Sequence, residues 1–125
     1  MIAAVTYLVR DYDEAINWFT SALDFRLVED LDLGGGKRWV LVAAPGGGSK
    51  LLLAKADGPE QINHIGRAAG GRVAFFLNSK KLTLDHARII TAGVEFKEAP
   101  RHESYGTVAV FEDLYGNLWD LIEPR

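Results

Sequence analysis

The chain has 125 residues, enough for one domain with a core of its own. A net charge of −3 with no basic run argues against nucleic acid as a partner, and the absence of cysteine excludes a disulfide framework, a thiolate metal site and a cysteine nucleophile. No apolar stretch approaches the ~18 residues that span a membrane, and Met1-Ile-Ala-Ala-Val-Thr6 leads into a strand pattern without a basic leader, so no membrane partner and a cytoplasmic location are expected.

Residues 2–9 alternate as a first strand. Asp11 or Asp13 then caps a helix over 13–23, with Ala15, Ile16, Phe19, Ala22 and Leu23 at helical spacing. Trp18 and Phe19 are expected to pack that helix on a sheet. Strands follow at 25–32, 37–43 and 50–54, separated by Gly34-Gly-Gly36 and Pro45-Gly-Gly-Gly48 as turns. Residues 57–70 are polar and rich in Gly and Pro, and read as a linker between modules of about 1–56 and 71–125.

The order then repeats. A strand over 72–77 precedes a helix over 79–92, with Ser79 as its cap, Leu82, Leu84, Ala87, Ile89 and Ile90 as its packed set, and Gly93 as its stop. A strand over 94–98 leads to Pro100. Two final strands, 106–111 and 118–122, flank the turn Asp113-Leu-Tyr-Gly-Asn117, in which Gly116 takes a positive φ and Asn117 bonds its own backbone. The expected fold class is α+β, with two β-α-β-β-β modules offset by about 70 residues. One helix covers one face of each sheet. The other face needs a partner, and two such modules pairing into a curved sheet enclose a cavity.

The ending, from Tyr105-Gly-Thr-Val to Asp120-Leu-Ile-Glu123, resembles the C-terminal signature of the vicinal-oxygen-chelate superfamily. That superfamily includes glyoxalase I, fosfomycin- and bleomycin-resistance proteins and extradiol dioxygenases. Val9-Arg-Asp-Tyr-Asp-Glu-Ala-Ile16 with Trp18-Phe19 resembles the start of its first module, and Gly70-Gly-Arg-Val-Ala-Phe75 the start of its second. The resemblance implies paired modules around a cavity, a homodimer and a small-molecule ligand. In metal-dependent members, four inward positions supply His or carboxylate ligands. Here they fall on Ala4, on Leu51 or Leu53, on Arg72 and on Asp120. Of these only Asp120 is able to ligate, and a divalent metal needs several converging donors, so no metal cofactor is expected. His64, His86 and His102 are not at ligand spacing.

Strand alternation directs Asp120 inward with Leu118 and Ile122, and Arg72 inward with Ala74 and Phe76. Arg72 and Asp120 are therefore expected to meet. They serve either as a polar anchor for a carboxylate or amide, or as an internal ion pair standing where the metal would be. Arg38 and Trp39 lie on opposite faces of one strand, with Trp39 either stacking an aromatic ligand or filling the core. The resemblance implies a place for His102 and Tyr105 at the cavity rim, with His102 as a general base or a solvated side chain. Trp119 belongs to the helix-side core, and Glu123 and Arg125 are expected to be exposed. No Ser-His-Asp set, phosphate loop or dinucleotide fingerprint is present. Three readings follow: a metal-free protein that binds a small molecule in a dimer-completed cavity, a metal-dependent enzyme of the glyoxalase or dioxygenase type, and a non-catalytic dimeric scaffold.

Overall fold

A computed structural model describes all 125 residues. The chain divides into two compact units, Met1–Ala68 and Ala69–Arg125. No helix is long and apolar enough to cross a membrane.

The first unit contains β1 (Ala4–Val9), α1 (Tyr12–Ala22), β2 (Arg26–Gly34), β3 (Lys37–Ala43), β4 (Lys50–Lys55) and α2 (Gly58–His64). Its sheet runs β1-β4-β3-β2, with β1 and β4 parallel and the other pairs antiparallel. Asp11 caps α1 by accepting the Glu14 N–H at 2.8 Å, and Asp13 and Glu14 sit at the positive end of the helix dipole. Tyr12, Ala15, Phe19 and Ala22 form the buried stripe, and the Phe19 ring meets Tyr7 and Phe25 at centroid distances of 5.1 and 5.2 Å. The chain leaves α1 through Asp24 at φ 56°, one of the few side-chain types that tolerate this left-handed geometry. The stretch expected to be a linker holds α2, because Pro59 in its first turn starts a helix as readily as it ends one.

The second unit contains β5 (Val73–Asn78), α3 (Leu82–Thr91), β6 (Arg101–Glu103), β7 (Gly106–Glu112) and β8 (Leu118–Pro124). Its sheet order, β5-β8-β7-β6, repeats that of the first unit strand for strand. The repeat read in the sequence is therefore present, with one displaced element. Residues 94–98 make only a bridge, Phe96 to Phe111, and a Lys97 N–H bond to the Val110 carbonyl at 2.8 Å. The edge strand forms after Pro100, whose missing N–H cannot join a ladder. Helix α3 also starts later than expected. Ser79 does not cap it but donates to Asp85 at 2.5 Å. The first-turn N–H of Leu82 is instead taken by Glu123 Oε1 at 2.7 Å, so Glu123 is half-buried at the helix start and not exposed. Leu82 and Ile89 are the buried residues of α3, whereas Leu84 and Ile90 are exposed.

The β7–β8 turn is organised by one buried carboxylate. Asp113 Oδ1 accepts the backbone N–H groups of Tyr115 at 2.9 Å and Asn117 at 3.0 Å. Its Oδ2 accepts the Asn117 side-chain amide at 3.1 Å and the Trp119 indole N–H at 2.9 Å. The Asn117 side-chain amide thus helps to hold Asp113. Gly116, at φ 94°, allows the chain to reverse. Trp119, held by its N–H, lies between Phe75 and Phe111 with centroids at 4.7 and 5.8 Å. Asp113→Ala strands four donors and is expected to lower unfolding free energy by about 3–4 kcal/mol in urea titration. A loss under about 1 kcal/mol would show that the turn does not depend on this carboxylate.

Candidate functional site

Each sheet has a face packed by its helix and a face without one. In the first unit, Tyr7, Val9, Val40, Val42, Leu51 and Leu53 are buried on the side of α1. The register places Thr6, Leu52 and Leu41 side by side on the opposite face, and Leu31 beside Trp39. Leu31 and Trp39 are exposed there, so Trp39 is a surface group and not a core residue. Arg38 points the other way. Its guanidinium binds Asp30 at 2.6 Å and Asp13 of α1 at 3.0 Å, and its backbone N–H donates to the Tyr12 hydroxyl at 3.1 Å. Hydrogen bonding from Arg38 holds the Asp30 carboxyl below the usual carboxylate range. Arg38 therefore ties helix to sheet and is not placed on the open face.

In the second unit, Trp119 and Leu121 are buried on the side of α3, and the alternate residues of β8 face away. Asp120 is among them. It lies in register between Phe76 of β5 and Val110 of β7. Asp120 is only 6% exposed, whereas Phe76 is 65% exposed. The Oδ1 atom of Asp120 has no hydrogen-bond partner. Burial raises its pKa above the ordinary carboxylate value, Arg101 pulls it down, and Glu98 pushes it up.

The cation acting on Asp120 is thus Arg101, not Arg72. A register irregularity between Val73 and Phe75 breaks the alternation from which Arg72 was placed inward, and Arg72 precedes β5 as an exposed residue. Arg101 pairs in register with Val108, which shares the face of Asp120. Its Nε donates to Glu103 at 2.8 Å and its guanidinium also binds Glu98. His102, the next residue along β6, points to the other face, where its Nδ1 lies 3.0 Å from the Thr107 hydroxyl. Tyr105 is exposed in the β6–β7 turn. His102, Glu103, Gly106, Thr107, Glu123, Pro124 and Arg125 line a shallow cavity of about 330 Å³ at this end of the sheet.

The two sheets, compared position by position, also test the metal positions. Thr6 pairs with Leu52 as Phe76 pairs with Asp120, so the counterpart of Asp120 is Leu52, while Leu51 and Leu53 are buried on the helix side. Ala4 pairs with Lys50 as Val73 pairs with Leu118, so the counterpart of Ala4 is Val73. Ala4, Leu52 and Val73 have no donor atoms, and no group of three or more His, Cys, Asp or Glu side chains is positioned to hold an ion. The residues present do not fit a divalent metal. Phe76, placed inward by alternation, does lie on the open face beside Asp120, whereas Arg101 and Glu98 were not identifiable from the sequence, because the strand start after Pro100 leaves no signature in alternation.

A family model described as Glyoxalase/Bleomycin resistance protein/Dioxygenase superfamily matches residues 1–121. An uncharacterized protein of Shewanella frigidimarina (strain NCIMB 400) is 49% identical over 124 residues, covering 98% of this chain and 92% of its own length. The crystal structure of UcmS2 matches with a TM-score of 0.83 at 27% identity, covering 98% of this chain and 97% of that one. TnmS3, an antibiotic binding protein from Streptomyces sp. CB03234, has a TM-score of 0.78 at 23% identity, covering 100% and 96%.

Because the folded state raises the Asp120 pKa, the contribution of this group to stability is fully present below its unfolded value and is lost as pH rises through the folded one. Asp120→Asn removes that loss. The variant is expected to melt a few degrees above the wild type at pH 7.5, consistent with about 1 kcal/mol, with the gap closing as pH falls towards about 4. A variant less stable than wild type at pH 7.5 would contradict the assignment of Asp120 as a desolvated, underpaired carboxylate.

Proposed function

We propose that this chain, which belongs to the glyoxalase/bleomycin resistance protein/dioxygenase superfamily, is a cytoplasmic homodimer that binds a small molecule without a metal, in a cavity completed by the second copy. The observation that carries this reading is the composition of the open sheet faces. Each unit offers apolar and aromatic side chains on its open face, and that of the second unit carries a single recessed carboxylate, where metal chemistry requires several donors. Leu31 and Leu33 are about half exposed, Trp39 is 40% exposed and Phe76 65%. Large apolar groups held in water on ordered strands mark a surface that gains free energy when a ligand or another subunit covers it. Trp39 and Phe76 supply broad rings with few rotatable bonds, suited to stacking an aromatic body. TnmS3 shows the same fold in an antibiotic binding protein, which is compatible with this use.

The reading makes capture, not turnover, the activity. Asp120 supplies polarity at one point, and the apolar faces supply area. A screen of aromatic small molecules by thermal shift, with sedimentation to determine subunit number, tests it. A binder at a hundred times its Kd is expected to stabilise the protein by about 2.7 kcal/mol, and Trp39→Ala to weaken it roughly fivefold. A dimer with its faces sealed and no binder across the screen would favour the scaffold reading.

A further inference from the structure

Asp120 is more than nine-tenths buried on an apolar sheet face, yet one of its oxygens accepts no hydrogen bond. Such an atom is normally satisfied, because a desolvated acceptor without a donor costs about 1–3 kcal/mol. The nearest counter-charge does not resolve it. Arg101 acts on Asp120 through space, but its own hydrogen bonds engage Glu103, Glu98 and the Tyr105 side chain. Three carboxylates thus share one guanidinium, and the cluster carries an excess of negative charge. Beside it, Phe76 presents an exposed ring one strand away in register. The face therefore combines an unsatisfied anionic acceptor, a local negative field and an aromatic surface.

We infer that Asp120 is the anchoring residue for the small molecule proposed above, and that this molecule carries a protonated amine on an apolar or aromatic body. The inference rests on the small-molecule reading and adds the chemical class of its ligand. An ammonium donates an N–H to the Asp120 carboxylate and balances the excess charge, while the attached body covers Phe76. A carboxylate ligand meets repulsion from Asp120, Glu98 and Glu103. This reverses the ligand polarity expected had Arg72 been the anchor.

The test uses three probes of one shape: 2-phenylethylamine, 2-phenylethanol and 3-phenylpropanoate. Each is titrated into the isotopically labelled full chain, reading the backbone amide shifts around Phe76 and Asp120. The amine is expected to bind at least tenfold more tightly than the carboxylate. In Asp120→Asn that preference is expected to fall to twofold or less. A preference that persists in Asp120→Asn, or binding of the alcohol or carboxylate in place of the amine, overturns the amine assignment and leaves the small-molecule reading standing. No shift at these amides with any of the three overturns both. Phe76→Ala, which keeps the carboxylate, is expected to weaken all three probes while preserving their order.

Discussion

The Asp113 carboxylate fixes the register on which the second unit depends. Its four donors close the β7–β8 turn and pin the Trp119 indole against Phe75 and Phe111. In a strand, side chains alternate faces, so a slip of one residue would expel Trp119 from the core and drive Asp120 into it. Anchoring Trp119 on the helix side therefore places Asp120 on the other. The site carboxylate owes its position to a second carboxylate seven residues earlier, whose hydrogen-bonding capacity is used in building the turn.

The same division of faces runs through both units. Helices α1 and α3 each cover one side of a four-stranded sheet with the same strand order, and the chemistry is set by what stands on the other side. At matched positions the first unit carries Thr6 and Leu52 where the second carries Phe76 and Asp120. The repeat conserves backbone pairing while allowing the open-face residues to differ. Of Ala4, Leu52, Val73 and Asp120, only Asp120 carries a donor atom. Arg38, although a strong cation, is withdrawn from this chemistry by Asp30, Asp13 and Tyr12, which use it to hold α1 on the sheet.

Much of the fold was legible in the sequence because periodicity reports it directly. The helical stripe Ala15, Phe19 and Ala22, the Gly93 stop, the glycine turns and the repeat at an offset of about 70 residues all correspond to structural features. Trp119 on the helix side and Arg38 opposite Trp39 also followed from alternation. The failures share a physical cause: alternation survives only while the ladder is regular. The irregularity before Phe75 removed Arg72 from the inward set, and Pro100 delayed the edge strand so that Arg101 appeared beside Asp120. Long-range capping was equally invisible, since nothing local to Glu123 or Leu82 announces their bond across the chain.

The central claim is that the open faces bind a small molecule without a metal. The most direct measurement is the metal content of tag-free protein, with a thermal-shift titration of zinc, nickel, manganese and iron(II). The account predicts substoichiometric metal and no stabilisation, because one carboxylate among Ala4, Leu52 and Val73 offers no second donor. A stoichiometric ion whose removal lowers the Tm, and whose binding is lost in Asp120→Asn, would contradict it.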